Sequence, residues 1–221
     1  MRLNKDLAYL IGAIYGDGYI KSGTKSKKDL SKDYKISFEL SNIKFLEGVI
    51  LNAFKKIIKT KSKVRTRKRK NKQESGILEI RNKELFLFLT ENLKTHKGPK
   101  TRKTKVPAKI KNLPDSLKSE FVAGYFDTDG GFRGNTIGFS TKTKDFQEYT
   151  IKTIKEAGIS ASKEKWLNKK YNKYYYGIRI KKDNIDKFLK AFKLRNSKKL
   201  ASIKARFPCT GAGAVKRAGR D

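Results

Sequence analysis

The sequence predicts an α+β fold built as a tandem, pseudo-twofold repeat of two αββαββα units. Three observations predict it. Segments of the first half recur in order in the second. Within each half, runs of helical apolar spacing alternate with runs of period-two spacing. An Asp-Gly pair closes an apolar helix at the same place in both halves.

The repeat is read from colinear blocks. Leu10-Ile-Gly-Ala-Ile-Tyr-Gly-Asp-Gly18 matches Val122-Ala-Gly-Tyr-Phe-Asp-Thr-Asp-Gly130, with Gly12, Asp17 and Gly18 each 112 residues before Gly124, Asp129 and Gly130. Ile36 to Ser41 then matches Ile137 to Lys142 at an offset of 101, so the first half holds 11 extra residues between Ser22 and Asp33. Phe45, Glu47 and Ile50 fall on Phe146, Glu148 and Ile151. Ile80-Arg81 falls on Ile180-Lys181, and Phe88-Leu89 on Phe188-Leu189.

The elements follow in order. Residues 6–17 are an apolar helix, followed by a short strand at 18–21. Residues 35–41 alternate, with Ile36, Phe38 and Leu40 on one face and Lys35, Ser37, Glu39 and Ser41 on the other. Phe45, Leu46, Val49, Ile50 and Phe54 make 42–58 a helix. Residues 62–70 and 76–81 read as a strand pair, and 83–93 as a helix. The second half repeats this: helix 115–128, strands 131–134 and 136–141, helix 143–157, strands 161–167 and 174–181, helix 183–192. The predicted organisation is a first half at 1–95, a basic linker at 96–113, a second half at 114–193 and a basic tail at 194–221. Pro99, Pro107 and Pro114 mark the linker. The tail begins as a helix at Ser197, and Gly211-Ala-Gly-Ala reads as disordered.

Lys and Arg number 55 against 21 Asp and Glu, a formal charge of +34. Self-repulsion of that size points to a polyanion partner, and nucleic acid is the commonest. No run approaches 18 apolar residues and the first residues lack a signal-peptide pattern, so membranes are set aside and an intracellular location, cytoplasm or nucleoid, is expected. Single Cys209 excludes an intramolecular disulfide, and His96, the one histidine, is expected to be solvated in the linker. Any metal is therefore held by oxygen, which favours Mg²⁺ over zinc, with Mn²⁺ as a substitute.

Asp17 and Asp129 are in poor places by themselves. Each carboxylate follows the last turn of an apolar helix, at the negative pole of its dipole and among unpaired carbonyls. A divalent cation reverses the problem, because the carboxylates and the carbonyls of Gly16 and Thr128 become ligands. Gly12 and Gly16 share one helix face, as do Gly124 and Thr128. Small residues at that spacing let two helices touch along their backbones. Packed so, the helices bring Asp17 and Asp129 together, a pair suited to metal-assisted phosphodiester hydrolysis. Asp127 has no acidic counterpart in the first motif, where Tyr15 stands, and is read as structural.

These paired segments resemble the motifs of the LAGLIDADG homing endonucleases, with Asp17 and Asp129 in the carboxylate positions of the two copies. The resemblance spans roughly residues 6–192. It implies a monomer with motif helices at its interface and two antiparallel, saddle-shaped sheets in the DNA major groove. It further implies double-strand cleavage leaving cohesive 3′ ends, with Arg81 and Lys181 as basic assistants and Glu39 and Ser140 as polar positions. On that resemblance the catalytic set is Asp17, Asp129, Arg81, Lys181 and Glu39.

The expected DNA surface follows from strand alternation. Arg65, Arg67 and Arg69 share a face of a hairpin that also carries Lys70 and is basic on both sides, so it suits a groove better than a core. Lys35, Ser37, Glu39, Ser41 and Arg81 extend that face. The insertion contributes Lys25, Lys27 and Lys28. In the second half Arg133, Ser140, Lys142, Lys169, Lys170, Arg179 and Lys181 are the matching set, and Trp166 with Tyr174, Tyr175 and Tyr176 is assigned to core packing. The expected partner is a double-stranded DNA target, with intron RNA as a second. A maturase aiding intron splicing and a catalytically silent DNA binder are the competing functions, because the charge suits both. Retention of both aspartates favours cleavage.

Overall fold

A computed structural model describes residues 1–21, 23, 33–69, 73–98, 100 and 104–208. Lys25, Lys27, Lys28, Lys70 and the tail beyond 208 lie outside the described residues.

The first motif helix, Lys5–Gly16, starts where the Asn4 side-chain oxygen accepts the Leu7 N–H at 2.9 Å. Every residue from Leu7 to Tyr15 is buried, so this helix is apolar around its whole circumference and belongs inside. The second motif helix, Asp115–Asp129, is buried from Phe121 to Asp127 and lies against the first. The contact is backbone on backbone. A Cβ on Gly12 would stand 1.9 Å from the Phe121 carbonyl oxygen, and one on Gly124 would stand 2.0 Å from that of Tyr9.

Each half adds a four-stranded antiparallel sheet. The first is β1 (Gly18–Lys21), β2 (Lys35–Leu40), β3 (Arg65–Arg67) and β4 (Ser75–Arg81), ordered β1-β2-β4-β3. The second is β5 (Gly131–Phe132), β6 (Ile137–Thr141), β7 (Ala161–Asn168) and β8 (Lys173–Ile180), ordered β5-β6-β8-β7. The registers match as well. Ile36 faces Ile80 and Phe38 faces Leu78; Ile137 faces Ile180 and Phe139 faces Ile178. These residues form the inner face of each sheet and join one core that spans both halves.

The helix after β2 runs through Ile43–Phe45, Leu46–Leu51 and Asn52–Ile57, its middle segment wound with wider π turns. Its counterpart is Lys144–Glu156. Asn42 and Thr143 cap them equivalently, accepting from Phe45 N–H and Phe146 N–H at 3.1 and 3.3 Å.

Three expectations need correction. Of the strand expected at 62–70, the described residues form a ladder over Arg65–Arg67; before it, Val64 packs against the core and the Ser62 hydroxyl, not its backbone, donates to the Glu79 carbonyl at 2.8 Å. The stretch expected to be an exposed linker packs, with Val106, Ile110 and Leu113 in the core and His96 half-buried. The helix expected to begin at Ser197 is present, Ser197–Arg206, and its Lys199 side chain bonds the end of the second motif helix. The Arg195 guanidinium bonds Asp6 and Glu120, each at 2.6 Å, while Asp127 accepts from Tyr9 Oη and the Arg195 N–H, also at 2.6 Å. Finally, Trp166, Tyr174, Tyr175 and Tyr176 are absent from the core, and Trp166 and Tyr175 lie on the outer face of their sheet.

Gly12→Val should cost at least the ~1–3 kcal/mol typical of overpacking, because the obstructing atom is a backbone carbonyl that cannot swing away. Gly48, on a helix surface with no neighbour within 4 Å, is the control. Gly48→Ala should stabilise by about 0.5–1 kcal/mol. Urea unfolding of both variants checks the pair.

Candidate functional site

Between the two sheets, the paired helix ends open a cleft of about 470 Å³ lined by Gly16, Asp17, Tyr19, Lys100, Tyr125, Asp129, Ser140, Lys142 and Tyr175, among others. The helix ends are close enough that a Cβ on Gly16 would lie 1.9 Å from Thr128 Oγ1 and 3.4 Å from Asp129 Cβ. Both carboxylates reach solvent through the cleft. Protein crowding on the other sides of Asp129, and then the charge of Asp17, push its carboxyl up to about 6. Tyr125 Oη shares its one proton between the Ser140 carbonyl at 2.7 Å and Asp129 Oδ2 at 3.1 Å, which links the carboxylate to β6.

Two lysines that the sequence reading missed complete the site. Lys100 Nζ donates to the carbonyls of Ile14 (3.1 Å), Tyr15 (3.2 Å) and Gly16, ending the first motif helix. Lys199 Nζ, from the C-terminal helix, donates to the carbonyls of Phe126 (2.8 Å), Gly130 (2.6 Å) and Thr128 (3.4 Å), ending the second. Each ammonium thus sits at the negative pole of a motif helix. Desolvation lowers Lys100 to about 8, although Asp17 and Asp129 oppose it. Lys199 is lowered for the same first reason, against the pull of Asp127, Asp17 and Asp129. A signal existed: Lys100 precedes Lys199 by 99 residues, close to the 100 that separates Phe88 from Phe188.

The remaining expected residues are distributed as follows. Ser140 and Lys142 line the cleft; Arg81, Lys181 and Glu39 are not among its lining residues. Arg81 pairs with Glu79 (3.2 Å) and Asp33 (3.5 Å), and Lys181 is exposed at the end of β8. Glu39 accepts from Arg69 at 2.8 Å and from Ser75 at 3.1 Å. Arg65, Arg67 and Arg69 are exposed, as are Ser41, Lys169, Lys170 and Arg179, whereas Lys35, Ser37 and Arg133 are half-buried. Lys35 is held by Glu79 at 2.7 Å.

The site offers a divalent cation oxygen donors only: two carboxylates and the helix-end carbonyls, which already attract cations. Among the described residues no three His, Cys, Asp or Glu side chains cluster as a metal cage. That donor set fits a hard ion that keeps several water or phosphate ligands.

Comparison with known proteins agrees with this geometry. Residues 116–193 match the family model described as a LAGLIDADG-like domain. The chain is 25% identical over 201 residues to the replication factor C small subunit of Methanocaldococcus jannaschii, covering 90% of this chain and 10% of that protein. It therefore spans about a tenth of the length of that curated relative. Its fold is that of the homing endonuclease I-DmoI in complex with DNA and Mn, with a TM-score of 0.63 and 16% identity over 85% of this chain and 96% of that one. Full-length DUF199/WhiA from Thermatoga maritima shares the fold at a TM-score of 0.56 and 18% identity, over 91% of this chain and 59% of that one. The chain thus resembles the LAGLIDADG family in its second-half sequence and in the fold of both halves. Among the described residues no helix is long and apolar enough to cross a membrane.

The raised Asp129 carboxyl has a measurable consequence. Its folded-state value lies above the unfolded one, so it favours the folded, metal-free protein at low pH. That contribution fades as pH rises from about 4 towards 6. Carboxyl-carbon NMR should find Asp129 titrating near 6, and Asp17→Asn should lower that value. An unchanged midpoint in the variant would remove Asp17 as a cause.

Proposed function

We propose that this chain is a site-specific double-stranded DNA endonuclease of the homing type, hydrolysing one phosphodiester on each strand. The observation that carries this reading is the meeting of Asp17 and Asp129 at the ends of two touching helices, between two outward basic sheets. Asp17 and Asp129, with the Gly16 and Thr128 carbonyls, would hold Mg²⁺ or Mn²⁺. The bound ion would polarise the phosphate, activate water and stabilise the departing oxygen. Lys100 and Lys199 supply fixed positive charge beside the phosphates, and Tyr125 orients Asp129. Arg65, Arg67 and Arg69 on one sheet, and Arg133, Lys169, Lys170 and Arg179 on the other, grip the duplex. The two halves and the packed segment between them act as one monomer on an asymmetric site.

The second reading is a silent nucleic-acid binder on the same scaffold. It is favoured by Lys100 and Lys199, whose ammoniums already engage the carbonyls that a metal would use. A plasmid library carrying candidate targets separates the two. With Mg²⁺, discrete double-strand cuts are expected, and none with EDTA. Asp17→Asn and Asp129→Asn should retain duplex binding and lose cleavage by on the order of 10³-fold. Wild-type cutting by either variant would overturn the mechanism. Lys100→Met and Lys199→Met should each slow cutting by roughly 10²-fold, as expected when a positioned charge is removed from a reaction centre. Salt-sensitive binding without cuts under any metal would establish the silent binder, and capture of intron RNA instead would support a maturase.

A further inference from the structure

The two sheets present different chemistry at positions that the repeat makes equivalent. Arg65 lies opposite Ile77 and reaches diagonally to Glu79 at 2.9 Å. Glu164 lies opposite Gly177 and reaches diagonally to Arg179 at 2.6 Å. Ile77 and Gly177 hold the same register, each one residue before the partner of Phe38 or Phe139. The cross-strand ion pair is therefore kept with its polarity reversed. One step further along, Arg67 faces Ser75 in the first sheet, and Trp166 faces Tyr175 in the second.

The surroundings of that step differ accordingly. In the first sheet Glu39 gathers Arg69 (2.8 Å), Arg67 (3.5 Å) and the Ser75 hydroxyl (3.1 Å) into a hydrogen-bonding lattice. In the second, the Trp166 and Tyr175 rings stack with centroids 6.1 Å apart and planes 20° apart, and the Arg133 guanidinium lies 5.6 Å from the indole centroid. Gly177 makes room for the indole beside the strand, since a Cβ there would come within 2.9 Å of Trp166. Tyr175 continues to the wall of the acidic cleft. Exposed Lys173, on the same face, and Lys169 and Lys170 at the hairpin end border these rings, so the natural occupant is an anionic polymer with apolar patches.

In the major groove the two chemistries select different base pairs. Arginine forks match guanine, and carboxylates accept from the cytosine amino group. Apolar side chains meet the thymine methyl, which G·C pairs lack. We propose that the two sheets read half-sites of opposite composition. The first selects G·C pairs through Arg65, Arg67, Arg69 and Glu39; the second selects A·T pairs through Trp166 and Tyr175. This rests on the duplex-DNA reading above and adds the composition of the target.

Selection from a pool of duplexes with a randomised core, in Ca²⁺ to allow binding without Mg²⁺-dependent cutting, tests it. Wild-type protein should enrich a motif that is G·C-rich on one side of its centre and A·T-rich on the other. Trp166→Arg combined with Tyr175→Ser, which copies the first-sheet pair, should keep the G·C-rich half and shift the other half towards G·C. It should also bind the wild-type motif about tenfold more weakly, as loss of one good base contact implies. Trp166 is the one tryptophan in the chain, so its fluorescence reports this face directly, even if the double variant does not fold. Its emission should change on binding the enriched duplex. Matching composition in both halves, an unshifted preference in the folded variant, or unchanged Trp166 emission on binding would each overturn the inference while leaving the DNA reading intact. Binding with no sequence enriched at all would overturn the site-specific reading and the inference together.

Discussion

The approach of two helix backbones at Gly12 and Gly124 is the constraint on which the rest depends. A side chain at either position would collide with a carbonyl oxygen of the other helix. Without side chains to separate them, the helices touch, and one core forms across both halves instead of two cores meeting at a surface. Each sheet is then carried by its own motif helix, so the geometry of this single contact orients both sheets. The same contact closes the helix ends and sets Asp17 beside Asp129.

That convergence carries an electrostatic cost, and the molecule offsets it in an unusual way. Two carboxylates and two helix C-termini point into one cleft, concentrating negative potential inside a chain of formal charge +34. Lys100 and Lys199 answer it from segments outside the sheets, one between the halves and one after them. Their ammoniums lose hydration and their affinity for protons falls, while the Asp129 carboxyl shifts the other way.

The delivery of Lys199 depends on a buried polar hub. Asp127 lies in the core, where a lone carboxylate is costly, and its Oδ2 accepts from Tyr9 Oη and from the backbone N–H groups of Arg195 and Asn196. Arg195 in turn straps both motif helices through Asp6 and Glu120 and lies 4.1 Å from the Tyr9 ring centroid. The C-terminal helix is thereby tied to both halves at once. The second Asp of the motif faces the cleft, whereas the first anchors the segment that brings a lysine to it.

Much was legible in the sequence because backbone periodicity is local. The alternation of Ile36, Phe38 and Leu40, the helical spacing after Asn42 and the paired Asp-Gly ends disclosed the element order and the two aspartates that the helix contact brings together. The glycine spacing also foretold the helix contact, since only absent side chains permit it. What sequence could not decide was which distant side chains enter the cleft. Arg81 and Lys181 occupy equivalent places in the repeat, yet Arg81 turns to Glu79 and Asp33, whereas Lys100 and Lys199 arrive from the segment between the halves and from the C-terminal helix. The Trp166 and Tyr175 rings have strand propensity and apolar area, and both suit a core equally well. Only the pairing of β7 with β8, and the space left by Gly177, place them on the outer face. Such placements depend on contacts between residues far apart in the chain, and no local preference encodes which partner a long side chain will find.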